Sequence, residues 1–373
     1  MKEKFRRSVL IFESTKPYNP TSGGSYYSLR PIISAFCDQG WEVKVTSYVE
    51  NSLLNFPEYK NLENVILKHF SLKHYLRKTK SNPYKKKSNR ANNNFFKVLK
   101  SSIFILYSTF FTVINTVYLA TVLHKYKPDF VYCNTGIVND RAMVLASIFS
   151  RVKVICHLRN LPNLSKIDKF LAERVTAAVF ISQTVLNHYT ESDILFKSQQ
   201  VRHNALGKNF DSQPFKIGKN VFLSGEDFRM ACFMRLIEWK GGSTLLNAFY
   251  NYRNNGGKGK LFIYGDGPER NNLEKETKSL NLEKFVKFLG HTEDVIKEIG
   301  SSSLIIAPSD KPEPLGRTVM EAKRLGIPII ASNAGGFKET INHNFDGLHY
   351  DIMSHHSLSE MMLKVFLNLE LRE

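Results

Sequence analysis

Residues 308–322 read PSDKPEPLGRTVMEA, and this stretch joins a short apolar run to a helical pattern through a proline-rich loop. Pro312 and Pro314 restrict the backbone around Glu313 to extended conformations, because a residue before proline avoids the helical region. The helical pattern begins near Leu315. A strand, a loop and a helix in this order are typical of parallel α/β sheets, whose ligands bind beyond the carboxyl ends of the strands.

The same alternation of short apolar runs and helical patterns extends over the whole chain. It predicts one series of strands between residues 8 and 203 and a second series between residues 228 and 350. The polar stretch 207–227 separates the two series and has the composition of a linker. We therefore predict an α/β fold of two doubly wound, Rossmann-like domains, 1–206 and 228–373, that face a cleft.

The charge of the chain is unevenly distributed. The 373 residues include 52 Lys and Arg against 34 Asp and Glu, a net charge of +18. Residues 64–128, an insert in the first domain, contain 13 of the basic residues and no acidic one, which leaves +5 for the rest of the chain. Because the basic residues of this insert are followed within it by an apolar stretch, an anionic membrane surface is favoured over nucleic acid as a partner.

The apolar stretch from Ile103 to Leu123 has 21 residues without a charge, which is long enough to span a bilayer. Ser, Thr and Asn residues interrupt it, and it leads directly into the strand predicted at 129–134, which disfavours a span. Two other interpretations are a helix buried against the sheet and, as we prefer, a helix packed on one side that touches lipid at its front end. The membrane surface, within 73–107, would use Lys73, Arg77, Lys78, Lys80, Lys85, Lys86, Lys87, Arg90, Phe95, Phe96, Phe104 and Tyr107.

The cysteines and the first residues limit the class of protein further. Four widely spaced cysteines, at positions 37, 133, 156 and 232, form no C-x-x-C pair, and no D-x-D motif is present. We expect reduced core thiols in a cytoplasmic protein, and no metal site. The apolar run from Val9 to Phe12 is too short for a signal peptide and predicts the first strand.

Two basic residues follow the first strand of the second series. Arg235 leaves the strand end and Lys240 opens the next helix, so both cations can reach the cleft. A diphosphate would fit between them, bound by the Arg fork and the Lys point charge. The alternative is that both are solvated surface residues.

Glu313 and Glu321 flank a predicted anion site formed by the backbone N–H groups of residues 316–318 at a helix start. Glu321 lies roughly 7 to 8 Å further along the helix axis, so one carboxylate is expected on each side of the anion. Carboxylates accept hydrogen bonds from vicinal diols, which suggests a sugar at Glu313 and a ribose at Glu321. The alternative is a pair of surface charges.

Together these motifs resemble the retaining glycosyltransferases of the GT-B fold, in glycosyltransferase family 4 (glycosyl transferases group 1). Glu313 and Glu321 match the E-x7-E motif of that family, and GIPIIAS follows in the expected place. Two positions depart from the family pattern: Met234 replaces a usual glycine, and Ala205 replaces the glycine of an Asn-Gly pair. The likeness covers the C-terminal half well, and the N-terminal half only at its first 50 residues and from about residue 127 onward.

The resemblance implies a role for each matching residue. Arg235 and Lys240 would bind the diphosphate of the donor, Glu321 its ribose and Glu313 the hydroxyls of the transferred sugar. His157, at a strand end, would lie near the reacting sugar. The nucleotide-sugar site would comprise Gly24, Arg235, Lys240, Gly265, Gly316, Arg317, Thr318 and Glu321.

We therefore predict a cytoplasmic, metal-independent, retaining glycosyltransferase, peripheral at the inner face of the plasma membrane. It would transfer a sugar from a nucleotide sugar, with UDP favoured over GDP, to a glycan or lipid-linked acceptor of bacterial cell-surface polysaccharide or lipopolysaccharide. The resemblance implies front-face transfer, in which the leaving phosphate helps to deprotonate the acceptor. A soluble small-molecule glycosyltransferase, a GT-B epimerase and a catalytically silent GT-B subunit that binds membranes or polyanions remain alternatives.

Overall fold

The computed structural model describes residues 7–14, 28–47, 63–66, 94–206, 223–292 and 294–372, and only the backbone at 63–66 and 94–108. Two β-sheets lie in this part of the chain. We call the described residues up to 206 the N-terminal half and those from 223 onward the C-terminal half; each half contains one sheet.

The N-terminal sheet has seven strands. They are Ser8–Glu13 (β1), Glu42–Ser47 (β2), Glu63–Ile66 (β3), Phe130–Cys133 (β4), Lys153–Leu158 (β5), Ala177–Phe180 (β6) and Gln199–Val201 (β7). Their order in the sheet is β3-β2-β1-β4-β5-β6-β7, with every pair parallel. The order reverses between β1 and β4, so the sheet is doubly wound, as predicted.

The C-terminal sheet has six strands and repeats the same order. They are Arg229–Phe233 (β8), Lys260–Tyr264 (β9), Val286–Gly290 (β10), Leu304–Ala307 (β11), Ile329–Ser332 (β12) and Leu348–Tyr350 (β13). The parallel order is β10-β9-β8-β11-β12-β13, which reverses between β8 and β11. The α/β fold class is therefore confirmed, and every predicted strand is present to within a few residues.

Helices connect the strands and cover both faces of each sheet. In the N-terminal half they are Leu29–Asp38 (α1), Asn94–Tyr126 (α2), Arg141–Phe149 (α3), Lys166–Ala172 (α4) and Gln183–Thr190 (α5). In the C-terminal half they are Gly242–Asn254 (α6), Arg270–Ser279 (α7), Val295–Gly300 (α8), Arg317–Arg324 (α9), Phe337–Thr340 (α10) and His355–Leu367 (α11).

Each sheet separates two hydrophobic cores, because successive strand residues point to opposite faces. In β1, Leu10 and Phe12 belong to one core and Val9 and Ile11 to the other. Strands β8 and β11 divide their side chains in the same way. Burial on both faces explains why these strands are continuous apolar runs instead of alternating patterns.

Helix α2 contains the apolar stretch and is longer than the sequence suggested, with 33 residues or roughly 50 Å. Leu119 and Leu123 are fully buried in the N-terminal core. Phe110, Val113 and Val117 are each more than half exposed, at 59%, 56% and 62%. From residue 109 onward, α2 is therefore packed on one side only, and a helix buried all round is ruled out there.

Within the described ranges, no helix has both the length and the apolar character that a membrane crossing requires.

Several predictions concern residues outside the described ranges. The basic side chains from Lys73 to Arg90, Gly24 and the linker residues 207–222 lie there. Phe95, Phe96, Phe104 and Tyr107 belong to α2, but their side chains are not described.

The cysteines correct one expectation. Cys133, Cys156 and Cys232 are buried in the cores, as predicted. Cys37 is exposed instead, because it lies in the last turn of α1, next to the exposed turn that ends at Gly40.

Candidate active site

Glu313 lies in an extended loop after β11, as the sequence predicts. Its backbone pairs with Gly335 in an isolated parallel bridge, and the N–H of Gly336 donates to its carbonyl at 2.7 Å. The side chain is buried, with 7% of the residue exposed. Its carboxylate accepts a 2.5 Å hydrogen bond from Ser309 Oγ and forms an ion pair with Lys240. Glu313 is thus a buried carboxylate held by one hydroxyl and one cation.

Lys240 connects two positions that the sequence analysis predicted separately, one for a diphosphate and one for a sugar. It ends a short 3-10 helix, Glu238–Lys240, and its ammonium lies 4.5 Å from the ring centre of Trp239. The prediction that Lys240 opens the following α-helix is wrong by two residues, because Gly241 adopts a left-handed conformation before α6 begins. The cation assigned to a diphosphate is therefore in direct contact with Glu313, the carboxylate assigned to a sugar.

Arg235 lies two residues beyond the end of β8 and is half-buried. Within the described part of the chain, its guanidinium makes no hydrogen bond or ion pair. The structure therefore places Arg235 at the predicted strand end.

Gly265 holds the neighbouring strand end close to Arg235. Its φ is +116°, and a Cβ there would lie 1.9 Å from the carbonyl oxygen of Met234. Both the positive φ and this short distance exclude a side chain at position 265. This packing accounts for the glycine without a ligand, so its assignment to the donor site stays a prediction.

Helix α9 begins at Arg317, two residues later than predicted, because Gly316 is a left-handed N-cap with φ +89°. Arg317 Nε donates to Glu321 Oε1 at 2.6 Å, one helical turn away. Thr318 lies in the same first turn. Burial raises the pKa of Glu321, and the adjacent Arg317 opposes this shift. The predicted ribose carboxylate is therefore buried and already bound to a cation.

His157 lies in β5 and is 5% exposed. Its Nδ1 is 2.5 Å from the hydroxyl of Tyr132 and 3.0 Å from Nη2 of Arg159. Burial holds the pKa of His157 well below its usual range, and the positive charge of Arg159 adds to this shift. His157 is therefore a neutral imidazole at physiological pH.

Arg159 is the residue that joins the polar groups at this edge of the N-terminal sheet, although it is only 4% exposed. Its Nε donates to the carbonyl of Asn134 at 2.9 Å, and its Nη2 to Asn134 Oδ1 at 2.9 Å. Its Nη1 donates to Asn204. Asn134 in turn donates to the buried carboxylate of Glu13 at 2.5 Å.

Asp140 is a further buried carboxyl group near this edge, at the start of α3. It accepts hydrogen bonds from the backbone N–H of Thr135 at 3.0 Å and from the Thr135 hydroxyl at 2.5 Å. Burial raises the pKa of Asp140 to about 7, and the hydrogen bonds from Ser14 and Thr135 oppose the shift.

The two halves meet at the carboxyl edges of their sheets. Ser182, at the N-cap of α5, donates to the carbonyl of Pro314. Leu315 packs into the core of the N-terminal half. Arg317 is close enough to Arg159 for like-charge repulsion to contribute, after burial, to a lowered pKa of Arg159. The loop around Glu313 and the His157 edge therefore face each other.

Sequence reasoning missed Tyr132, Asn134, Arg159 and Glu13 as parts of this edge. Three of them have a common signal, since Glu13, Asn134 and Arg159 stand at or just after the carboxyl end of a parallel strand. Tyr132 gave no signal, because a tyrosine within an apolar strand is ordinarily a core residue.

Within the described residues, no group of three His, Cys, Asp or Glu side chains is arranged to hold a metal ion. The predictions of no metal site and of no cofactor beyond the donor substrate remain predictions.

Residues 216–373 match the family model of Glycosyl transferases group 1. Among curated proteins, the chain is 24% identical over 241 residues to N-acetyl-alpha-D-glucosaminyl L-malate synthase of Bacillus anthracis, over 61% of the chain and 63% of that protein. It is 31% identical over 135 residues to a GDP-mannose-dependent alpha-(1-6)-phosphatidylinositol monomannoside mannosyltransferase of Mycobacterium tuberculosis, over 34% of the chain and 35% of the relative. The chain thus spans less than two thirds of either relative.

Among solved structures, Anabaena HepE in complex with UDP-glucose superimposes with a TM-score of 0.73 and 19% identity, over 98% of this chain and 91% of that one. At this identity the likeness concerns the fold alone. The chain therefore has the GT-B fold, and its residues 216–373 carry a Glycosyl transferases group 1 domain.

Proposed function

We propose that the protein is a glycosyltransferase that moves a sugar from a nucleoside-diphosphate sugar to a glycan or lipid-linked acceptor. The observation that carries this proposal is the set of buried charged groups around Glu313, which meets the His157 edge across the two halves. Lys240 and Ser309 hold the Glu313 carboxylate, and Arg317 holds that of Glu321. Buried carboxylates with fixed donors suit the recognition of sugar and ribose hydroxyls.

Residues 228–373 are proposed as the donor-binding domain and residues 1–206 as the acceptor-binding domain, joined by the linker 207–227. Arg235 and Lys240 bind the diphosphate, with help from the N–H groups at the start of α9. UDP is favoured as the nucleotide of the donor, and the complex of Anabaena HepE with UDP-glucose supports this preference. The mycobacterial relative is named as GDP-mannose-dependent, so both nucleotides belong in the test.

The proposed reaction is a metal-independent, retaining transfer. The bond between the anomeric carbon and the β-phosphate oxygen breaks, and a bond from the same carbon to the acceptor oxygen forms on the same face. The acceptor proton passes to the departing phosphate, whose charge is stabilised by Arg235 and Lys240. His157 and Glu313 bind the sugar during the transfer. NMR of the product checks the anomeric configuration, and turnover in the presence of EDTA checks metal independence.

The proposed acceptor is held at the cytoplasmic face of the plasma membrane, where the enzyme is peripheral. The half-exposed stripe of Phe110, Val113 and Val117 on α2 supports this proposal, as does the acid-free basic insert 64–128. Each basic residue near an anionic surface contributes about 1 kcal/mol. Flotation with liposomes tests the idea: equal recovery with neutral and anionic vesicles would rule out a charge-directed membrane surface.

A soluble, small-molecule acceptor is the second candidate. It is favoured by the relative from Bacillus anthracis, which is named as an N-acetyl-alpha-D-glucosaminyl L-malate synthase. An acceptor assay that compares lipid-linked saccharides with small hydroxy acids separates the two.

The experiment that tests the proposed activity is a thermal-shift screen with UDP, GDP and their sugars, followed by product analysis. Ligand at about 100 times its dissociation constant adds about 2.7 kcal/mol to the free energy of unfolding. A shift with a nucleotide sugar, followed by release of free nucleotide and glycosylated product, supports the proposal. No shift with any nucleotide would favour a catalytically silent subunit.

A further inference from the structure

A fully connected polar cluster lies at the carboxyl ends of β1, β4 and β5, and its centre is Arg159. We call it the Arg159 cluster. Its members are Glu13, Tyr132, Asn134, His157, Arg159 and Asn204. Every member except His157 has been assigned no role in the proposed transfer, so the function of the cluster is open.

The partners of His157 Nδ1 determine which ring nitrogen carries the proton. A guanidinium only donates hydrogen bonds, and Arg159 Nη2 lies 3.0 Å from Nδ1. Nδ1 must therefore be the unprotonated, accepting nitrogen. Because the imidazole is neutral, its single proton is on Nε2.

The contact between the Tyr132 hydroxyl and Nδ1 is compatible with this tautomer but does not require it. Its hydroxyl lies 2.5 Å from Nδ1, and a phenol can either donate or accept. Burial raises the pKa of Tyr132 to about 12, so the phenol keeps its proton and can donate it to Nδ1. Arg159 is the partner that excludes the other tautomer.

The Nε2–H of His157 is the one hydrogen-bond donor of the imidazole in this tautomer. Nε2 is buried and has no hydrogen-bond partner among the described residues, while the residue as a whole is 5% exposed. A buried donor without an acceptor costs about 1 to 3 kcal/mol in stability. Buried polar groups in native proteins are nearly always hydrogen-bonded, so this donor calls for an acceptor, which a ligand oxygen can supply.

Arg159 is itself held firmly, which a positioning residue requires. Asn134 accepts from Nε and Nη2 through its backbone and side-chain oxygens, and Asn204 accepts from Nη1. The Asn134 amide is oriented in turn by its bond to Glu13. The guanidinium is therefore held in place, with its Nη2 in contact with Nδ1 of His157.

We propose that Arg159 is a positioning residue that holds His157 as the Nε2–H tautomer, so that His157 donates a hydrogen bond to an oxygen of the bound sugar. This proposal rests on the proposed glycosyltransferase function for the identity of the ligand. The tautomer itself is a property of the free protein and can be measured without turnover.

The test is ¹⁵N NMR of the full-length protein labelled at its histidines, with His157→Asn used to identify the His157 signals. The wild type is expected to show an unprotonated Nδ1 and a protonated Nε2. Arg159→Gln introduces an oxygen that can accept from Nδ1–H, so a population protonated at Nδ1 should appear. Arg159→Lys retains a donor-only side chain and should keep the wild-type tautomer. A wild-type Nδ1 that carries the proton overturns the proposal.

Kinetics provide the second readout. Arg159→Gln should lower kcat by about tenfold, the effect of losing one oriented hydrogen bond, while UDP affinity stays unchanged. Arg159→Lys should recover most of kcat.

Arg174→Gln, an exposed arginine on the same half, is the control and should change neither readout. If Arg159→Gln folds and keeps both the tautomer and kcat, the proposal is wrong. If the wild type transfers no sugar, the proposed function fails, and the NMR result still decides the role of Arg159.

Discussion

At the scale of single residues, the candidate site is built from charges that satisfy one another. Glu313 is paired with Lys240, and Glu321 with Arg317. Leaving any of these charges alone in a buried position would cost several kcal/mol, so the pairs keep the site intact before a ligand binds. Substituting one partner of a pair therefore also changes the electrostatic environment of the other. Because the two glutamates are paired with different cations, their variants are expected to have different effects.

Glu313→Gln should lower kcat by roughly 100-fold without weakening UDP binding, because it removes the proposed contact to the sugar and releases Lys240 for the proposed diphosphate site. Glu321→Gln should instead weaken UDP binding, because the proposed contact to the ribose is lost. Calorimetry with UDP and steady-state kinetics of both variants measure the difference. Weaker UDP binding by Glu313→Gln alone would show that the two assignments are reversed.

Lys240→Met should weaken UDP binding by about 10- to 100-fold, the usual range for a hydrogen bond to a charged group. The buried Glu313 carboxylate also loses its cation, so the variant should be less stable than the wild type. Titration with UDP at two salt concentrations provides the measurement. Unchanged affinity at low salt would exclude Lys240 from the diphosphate site.

At the scale of elements, strand ends and helix starts carry the site. Helix α4 shows how firmly such a start can be held: Ser165 and Asp168 form a capping box, and Arg141 donates two 2.7 Å hydrogen bonds to Asp168. Burial alone would raise the pKa of Asp168, but the bonds from Arg141 and Ser165 outweigh it and lower that pKa.

Asp168→Asn should therefore lower the free energy of unfolding by about 1 to 3 kcal/mol at pH 7. A carboxyl group with a lowered pKa stabilises the fold above its unfolded pKa, near 4, and this contribution disappears as the pH falls through the folded pKa. The difference between variant and wild type should therefore shrink in acid. Urea unfolding at pH 7 and pH 3 tests this, and a gap that widens in acid would contradict the assignment.

Gly316→Ala should be more destabilising than Gly256→Ala, although both glycines have φ +89°. A Cβ at Gly316 would lie 2.4 Å from Phe337, whereas Gly256 has no atom within 4 Å of that position. Both variants carry the left-handed backbone cost of roughly 1 kcal/mol, and only Gly316→Ala adds a clash. Denaturant unfolding measures the loss in free energy of unfolding for each variant. Equal losses in the two variants would mean that Phe337 moves aside freely.

The elements were predictable from the sequence because apolar runs in parallel strands are a local signal. The start of α9 was also signalled locally, by Pro312, Pro314 and Gly316, although the helix begins at Arg317, two residues later than predicted. The contact between Lys240 and Glu313 was not, since it depends on the distance between two neighbouring strand ends. Nor was the Arg159 cluster, whose members are brought together from four segments by the sheet order.

At the scale of the whole molecule, the Glu339 carboxylate joins the two halves. Glu339, on α10, accepts hydrogen bonds from the N–H groups of Gln183 and Thr184 at 2.7 and 2.5 Å. The Thr184 hydroxyl donates to it as well, and His203 Nε2 lies 3.7 Å away. The N-terminus of α5 favours this negative charge.

Glu339→Gln should loosen the contact between the halves, because the amide carries no charge and only one of its polar groups accepts hydrogen bonds. The radius of gyration measured by X-ray scattering should rise in the variant, and bound nucleotide sugar should restore the wild-type value. Glu360→Gln, an exposed position on α11, is the control. An unchanged radius in both variants would mean that Glu339 does not hold the halves together.

The repeated strand order has a consequence for engineering and for the way such proteins diversify. Each sheet is covered on both faces by helices of its own half and has its own cores, and Leu315 is one of few side chains shared between them. Either half can therefore be exchanged for that of a relative without rebuilding the other interior. A chimera that keeps Leu315, Pro314 and Glu339 at the seam should fold, with acceptor choice following one parent and donor choice the other.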